Sequence, residues 1–218
     1  MGKRIRVALA VMFVVLVGLI GWQMAQPREP MYQGKPLSFW LKDYARLVFR
    51  VPLSTNATAS VMVKEQEEYI RKQLTGREEL DGAVRQIGTN AIPTLLRLLR
   101  LKDSALKLKL LALAQGQHIF RIQFTSAESW NEAASTGFQL LGNKAHSAVP
   151  ALIQIADDKI SSPSQRCALV SLAAIGDGDE TVPTLLRYAT NADARLSFLV
   201  TTMLRARFPE AAAKAGIK

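Results

Sequence analysis

Apolar and polar positions between residues 83 and 187 fall into one phrase that recurs three times. It reads Ile87-Gly88…Ala91-Ile92-Pro93-Thr94-Leu95-Leu96, then Leu141-Gly142…Ala148-Val149-Pro150-Ala151-Leu152-Ile153, then Ile175-Gly176…Thr181-Val182-Pro183-Thr184-Leu185-Leu186. Five residues before each Gly stands a small residue (Ala83, Gly137, Ser171), followed by a large apolar one (Val84, Phe138, Leu172). That spacing is one face of a helix with a notch where a neighbouring helix can approach closely. The Gly suits the left-handed residue that closes the helix. The Pro suits the first turn of the next helix, where a missing N–H costs nothing. Leu95-Leu96, Leu152-Ile153 and Leu185-Leu186 are then expected to face inward. The phrase predicts stacked helical hairpins.

Around the repeats the same periodicity predicts further helices. Ser38 is a plausible N-cap for a helix of about three turns carrying Phe39, Trp40, Tyr44 and Leu47, ended by Pro52 and Ser54-Thr55-Asn56. A second helix is expected over 59–74, with Glu68 and Lys72 at i,i+4 and Gly76 as its end. Others are expected over 107–114 (Ser104 at its start), 126–141 and 194–208, the last stopped by Pro209 and followed by a capping turn over 210–215. The intervals between the repeat prolines are 57 and 33 residues, so the first holds an insertion of about twenty residues, placed around 115–130. No alternating run of β-branched and aromatic residues is present, and strands are not expected. Hydrophobic residues are 49% of the 218 but aromatics only 7%, so Leu and Ala supply the core, as helix-on-helix packing prefers.

The N-terminus has a different pattern. Lys3, Arg4 and Arg6 precede residues 7–27, a run of 21 without a charge. As a helix, its apolar part reaches about 30 Å, the hydrocarbon thickness of a bilayer. Trp22 stands near the far end, where an indole favours the headgroup boundary. A membrane anchor is the favoured reading and a cleaved signal peptide the rival, with Gln23 two positions before Ala25 weakening the cleavage signal. Either reading keeps the basic cluster in the cytoplasm and exports the rest. The chain therefore divides into a basic cytoplasmic stretch 1–6, a transmembrane signal-anchor 7–25, a Pro-rich linker 26–37, leading helices 38–75 and a repeat domain 76–218.

The phrase Gly…Ala-Val-Pro-Ala-Leu-Ile resembles the HEAT repeat, over roughly residues 77–210. The segment Tyr32-x-Gly34-Lys35-x-Leu37-Ser38-x-Trp40-Leu41 also resembles one found in exported or anchored bacterial HEAT proteins. The resemblance implies an all-α fold, a right-handed α-solenoid of about three HEAT-like hairpins. It also implies an armadillo-like helical scaffold that binds another protein. Two departures from the family are the stretched first interval and the compact last pair.

Candidate chemistry adds little. Neither a P-loop, nor G-x-G-x-x-G, nor G-x-S-x-G is present. Ser104-Ala105-Leu106-Lys107 matches S-x-x-K, but N-capping by Ser104 explains it. The acidic turn Asp177-Gly178-Asp179-Glu180 is too short for an EF-hand loop and suits a helix N-terminus. Cys167, the only cysteine, has apolar neighbours and reads as a core thiol. With His118 and His146 it forms no metal-ligand spacing. No catalytic residue, cofactor or metal is expected, nor a small-molecule substrate.

Net charge is +10, and +7 without the N-terminal cluster. Arg97, Arg100, Lys102, Lys107, Lys109 and Arg121 face only Asp103 between residues 97 and 121. These cations either solvate helix faces or form a patch for an acidic partner or anionic headgroups. The fourth residue after each repeat proline is Arg97, Gln154 or Arg187, a polar ladder on the inner side if the hairpins stack. Arg97, Arg100, Gln154, Arg187 and Tyr188 are the candidate partner-binding residues, for an acidic peptide or carbohydrate. The reading is a non-catalytic protein-interaction scaffold on the extracytoplasmic side of a bacterial inner membrane. The alternatives are a HEAT-like enzyme of lyase or glycosylase type, or a nucleic-acid-binding module if the domain is cytoplasmic.

Overall fold

Gln33 and Gly34 both take positive φ, 48° and 74°. They close a two-residue turn between β1 (Met31–Tyr32) and β2 (Lys35–Pro36), an antiparallel pair with Met31 opposite Pro36 and Tyr32 opposite Lys35. Two positive φ values are what such a tight hairpin turn needs. This corrects the expectation of no strands: each strand is two residues long, too short for any alternation to show. The computed structural model describes residues 13, 29–49, 59–104, 125–176, 180–190 and 193–217. The expected cytoplasmic stretch 1–6, the helix over 107–114, His118 and most of the insertion at 115–130 lie outside these residues. So does the expected transmembrane segment 7–25, apart from residue 13. Among the described residues no helix is long and apolar enough to cross a membrane.

The hairpin feeds directly into α1 (Leu37–Phe49). Leu37, Trp40, Leu41 and Ala45 are buried at i, i+3, i+4 and i+8, the stripe of an amphipathic helix. Ser38 is not the cap. The helix begins one residue earlier, and the Ser38 amide donates to the Glu29 carboxylate at 3.3 Å, so the acid at the helix start comes from the linker.

Next comes α2 (Ala59–Ile87), 29 residues without a break. The expected end at Gly76 is absent. One glycine inside a helix costs about 1 kcal/mol. Beyond it Leu80, Ala83, Val84 and Ile87 are all buried at i, i+3, i+4 and i+7, and their burial outweighs that cost. Glu68 and Lys72 pair as expected at 2.6 Å on an exposed face, a contact worth a few tenths of a kcal/mol.

The three phrases do the local work expected of them. Gly88, Gly142 and Gly176 carry φ of 61°, 53° and 78° and end α2, α4 (Ala127–Leu141) and α6 (Ser162–Ile175). Pro93, Pro150 and Pro183 lie in the first turns of α3 (Ile92–Leu99), α5 (Val149–Asp158) and α7 (Thr181–Ala189). Short 3-10 turns, Gly88–Ala91 and Gly142–Ala148, bridge the first two breaks. The paired Leu and Ile are not equivalent. Leu95, Leu152 and Leu185 are wholly buried, whereas Leu96, Ile153 and Leu186 are half-buried, because adjacent helical residues differ by about 100° in direction.

The chain is mostly helical, and its helices pack in sequence order. Along one row α2 meets α4, α4 meets α6 and α6 meets α8 (Ala194–Arg207); in a second, α3 touches α5. Cross-packing of α3 on α4, α5 on α6 and α7 on α8 joins the rows. α1 lies against both α2 and α4. The notch is real: a Cβ on Gly137 would stand 2.7 Å from Cδ2 of Leu95. The short α9 (Pro209–Lys214) closes the far end against α8 with Ala212 buried, the capping turn expected after Pro209.

Candidate functional site

Two of the arginines singled out from the sequence, Arg97 and Arg187, are ion-paired. Arg97, on α3, pairs its guanidinium with the carboxylate of Glu29, the same group that receives the Ser38 amide. Arg187, on α7, forks onto both oxygens of Asp157 at 2.7 and 3.0 Å. Tyr188 donates its hydroxyl to that carboxylate at 2.6 Å, and the Arg187 guanidinium lies 5.2 Å from the Tyr188 ring centre. Arg187 and Tyr188 are thus brought together on one acid, and Arg97 on another. Arg100 and Gln154 are exposed.

The titration behaviour follows from these contacts. Burial alone pushes the Asp157 carboxyl up, but the hydrogen bonds from Tyr188 and Arg187 and the guanidinium charge outweigh it and hold it below its ordinary value. Desolvation, then its bond to the Asp157 carboxylate, pushes the Tyr188 phenol up to about 12. The cluster is therefore a carboxylate, a guanidinium and a neutral phenol throughout the physiological range. Exposed ion pairs are worth about 0–1 kcal/mol. An incoming carboxylate could displace Glu29 or Asp157 from these arginines at little energetic loss.

A second site, which the sequence reading missed, lies on the other row of helices. A groove of about 270 Å³ opens between α1, α4, α6 and α8. Ala45, Ala133, Ser135, Thr136 and Cys167 form its buried lining, with Glu132, Arg166 and Leu199 among its more exposed groups. Arg166 is held by Glu132 at 2.6 Å and Glu128 at 3.2 Å. Small-molecule pockets usually enclose about 300–1,000 Å³, so this space suits an inserted side chain better than a whole ligand. One signal was available: Ala133 and Cys167 each stand one helical turn before a notch residue, Gly137 or Ser171. The groove itself depends on α1 lying across α4, which no periodicity reveals.

Cys167 is buried, as its apolar neighbours suggested. Desolvation, reinforced by the Glu132 charge and opposed by Arg166, pushes its thiol up to about 12. A thiol that stays protonated is a poor nucleophile and a poor metal ligand. His146 is exposed in the turn before α5. Among the described residues no group of three or more His, Cys, Asp or Glu could hold a metal ion.

No protein-family model, curated protein or solved structure matches this chain. The chemistry of the two sites is one of paired charges, a neutral phenol and a protonated thiol.

Proposed function

We propose that this chain is a HEAT-like α-solenoid that serves as a protein-interaction scaffold, held on the outer face of a bacterial inner membrane by residues 7–25. One observation carries the reading. Charged groups of both sites are engaged with one another (Arg97 with Glu29, Arg187 and Tyr188 with Asp157, Arg166 with Glu128 and Glu132), and the single thiol is kept protonated. Catalysis needs a base, nucleophile or acid poised to change state near neutral pH, whereas Asp157 is held below its ordinary value and Tyr188 and Cys167 are pushed up to about 12. Surfaces of half-exposed ion pairs and buried small residues instead suit recognition, with the partner's carboxylates trading places with Glu29 and Asp157. The inner row offers an acidic partner Arg97, Arg100, Gln154, Arg187 and Tyr188. The outer groove offers a socket for one side chain.

Topology is the decisive assay for this location. A phosphatase that folds only after export, fused behind Lys218, is expected to be active in cells. A fused reporter that works only in the cytoplasm would sink the exported scaffold and revive nucleic-acid binding, which the +7 remainder would favour.

A further inference from the structure

Few large apolar side chains among the described residues stand open to solvent, and two of them, Met31 and Phe39, follow the uncharged N-terminal stretch by 4 and 12 residues. Met31 is 60% exposed at the start of β1 and Phe39 is 42% exposed in the first turn of α1. Between them in sequence stands Lys35, exposed at the start of β2, whose ammonium lies 4.3 Å from the Phe39 ring centre and 5.0 Å from that of Trp40.

This unit packs on the body: β1 and α1 both meet α2, and α1 also meets α4. The Leu37 amide donates to the Pro30 carbonyl at 3.0 Å and the Trp40 indole to the Tyr32 carbonyl at 3.4 Å. Tyr32 and Trp40 meet edge to face at 5.6 Å. The Glu29 carboxylate ties the linker to the Ser38 amide and to Arg97 on α3.

We propose that the hairpin and the first turn of α1 rest on the bilayer, with Met31 and Phe39 at the acyl boundary and Lys35 on phospholipid headgroup phosphates. This inference rests on the reading of residues 7–25 as a membrane anchor. The anchor ends at residue 25, four residues before Glu29. Four residues span at most about 14 Å. Glu29 is itself bonded to the residue beside Phe39. If residues 7–25 cross a bilayer, that short tether keeps the start of α1 beside the headgroup layer, close enough for its exposed side chains to meet it. An aromatic ring with a cation stacked on it suits that boundary, the ring toward the acyl chains and the ammonium toward phosphate.

The test uses the full chain with Cys167→Ala, reconstituted in vesicles of anionic and zwitterionic phospholipid doped with a nitroxide-labelled lipid. An environment-sensitive dye is attached in turn at Met31→Cys, Phe39→Cys and, as a control, Phe198→Cys, which is 74% exposed on α8. Circular dichroism checks that each variant keeps its helices. Dyes at 31 and 39 are expected to shift to the blue and lose emission to the nitroxide, and the dye at 198 to do neither. Adding Lys35→Glu to the Met31→Cys chain is expected to reduce the quenching, and unchanged quenching would remove Lys35 from the contact and overturn its role. If the chain withstands an alkaline wash of the vesicles yet all three dyes behave alike, this inference falls and the anchor stands. If the wash strips the chain off, both fall. Dyes at 31 and 39 shielded from nitroxide lipid and aqueous iodide alike in native membranes would assign this face to a protein, again overturning the proposal.

Discussion

Gly137→Leu is expected to destabilise the folded chain by about 3 kcal/mol or more, at the upper end of what overpacking does. The added Cβ alone would stand 2.7 Å from Cδ2 and 3.1 Å from Cδ1 of Leu95, and three further carbons would follow. Leu95 cannot step aside, because it is wholly buried between α3 and α4, and Gly137 is buried too. Gly137→Ala is the informative companion. Removing a mid-helix glycine gains about 1 kcal/mol of helix propensity, and the contact with Leu95 opposes it, so Ala should fall far short of Leu in damage. Combining Gly137→Leu with Leu95→Ala should recover part of the loss, since the two residues share one space. Urea unfolding of the full chain in mild detergent, followed by circular dichroism, measures all three. Equal midpoints for Gly137→Leu and the parent would mean that α3 and α4 do not meet at this notch.

Asn131→Asp is the second large effect, about 3 kcal/mol at neutral pH, the scale of a broken buried polar network. Asn131 has no exposed surface, and its amide nitrogen donates to the Leu98 and Leu99 carbonyls at 2.8 and 3.0 Å and reaches toward Leu101 at 3.4 Å. The Leu98 and Leu99 carbonyls lie in the last turn of α3 and that of Leu101 two residues beyond it, and of the three Leu98 also accepts from the Leu101 amide at 3.2 Å. Ser164, from α6, gives Leu99 a second donor at 2.6 Å, so three helices meet at one helix end. A carboxylate in place of the amide would turn an acceptor and a charge toward carbonyl oxygens. Its folded-state pKa would rise above the unfolded one, so the folded chain would bind the extra proton. Stability of the variant should then fall as pH rises through the range above the ordinary carboxylate value, and recover in acid relative to the parent. Asn131→Leu, which loses the donors without adding a charge, should be pH-insensitive by comparison. Unfolding curves at two pH values separate them. A variant as stable as the parent at neutral pH would contradict the clamp.

Sequence was informative wherever one residue type has one local use. Gly88, Gly142 and Gly176 close helices, the prolines open them, Gly137 forms a notch against Leu95, and Ala83 and Ser171 are buried; these are short-range facts. Gly76 misled because a glycine's local cost was set against a burial stripe that continues past it to Ile87. The site residues misled for a longer-range reason. Arg97 finds Glu29 across 68 residues and Arg187 finds Asp157 across 30, so a count of nearby charges portrayed as bare cations what the fold makes into ion pairs. The outer groove was hidden likewise, since its wall is Tyr44 and Ala45 of α1, far in sequence from the Cys167 it covers.

The scaffold claim is tested most directly by photo-crosslinking from the full chain in its native membrane. A photoreactive residue replaces Gln154 on α5 in one sample and Gln139, which lines the groove beside Cys167, in another. The account predicts a discrete adduct with one other protein from position 154, lost when Arg97→Glu and Arg187→Glu are added while the helical signal stays intact. A folded, membrane-bound chain that yields no protein adduct from either position would contradict it.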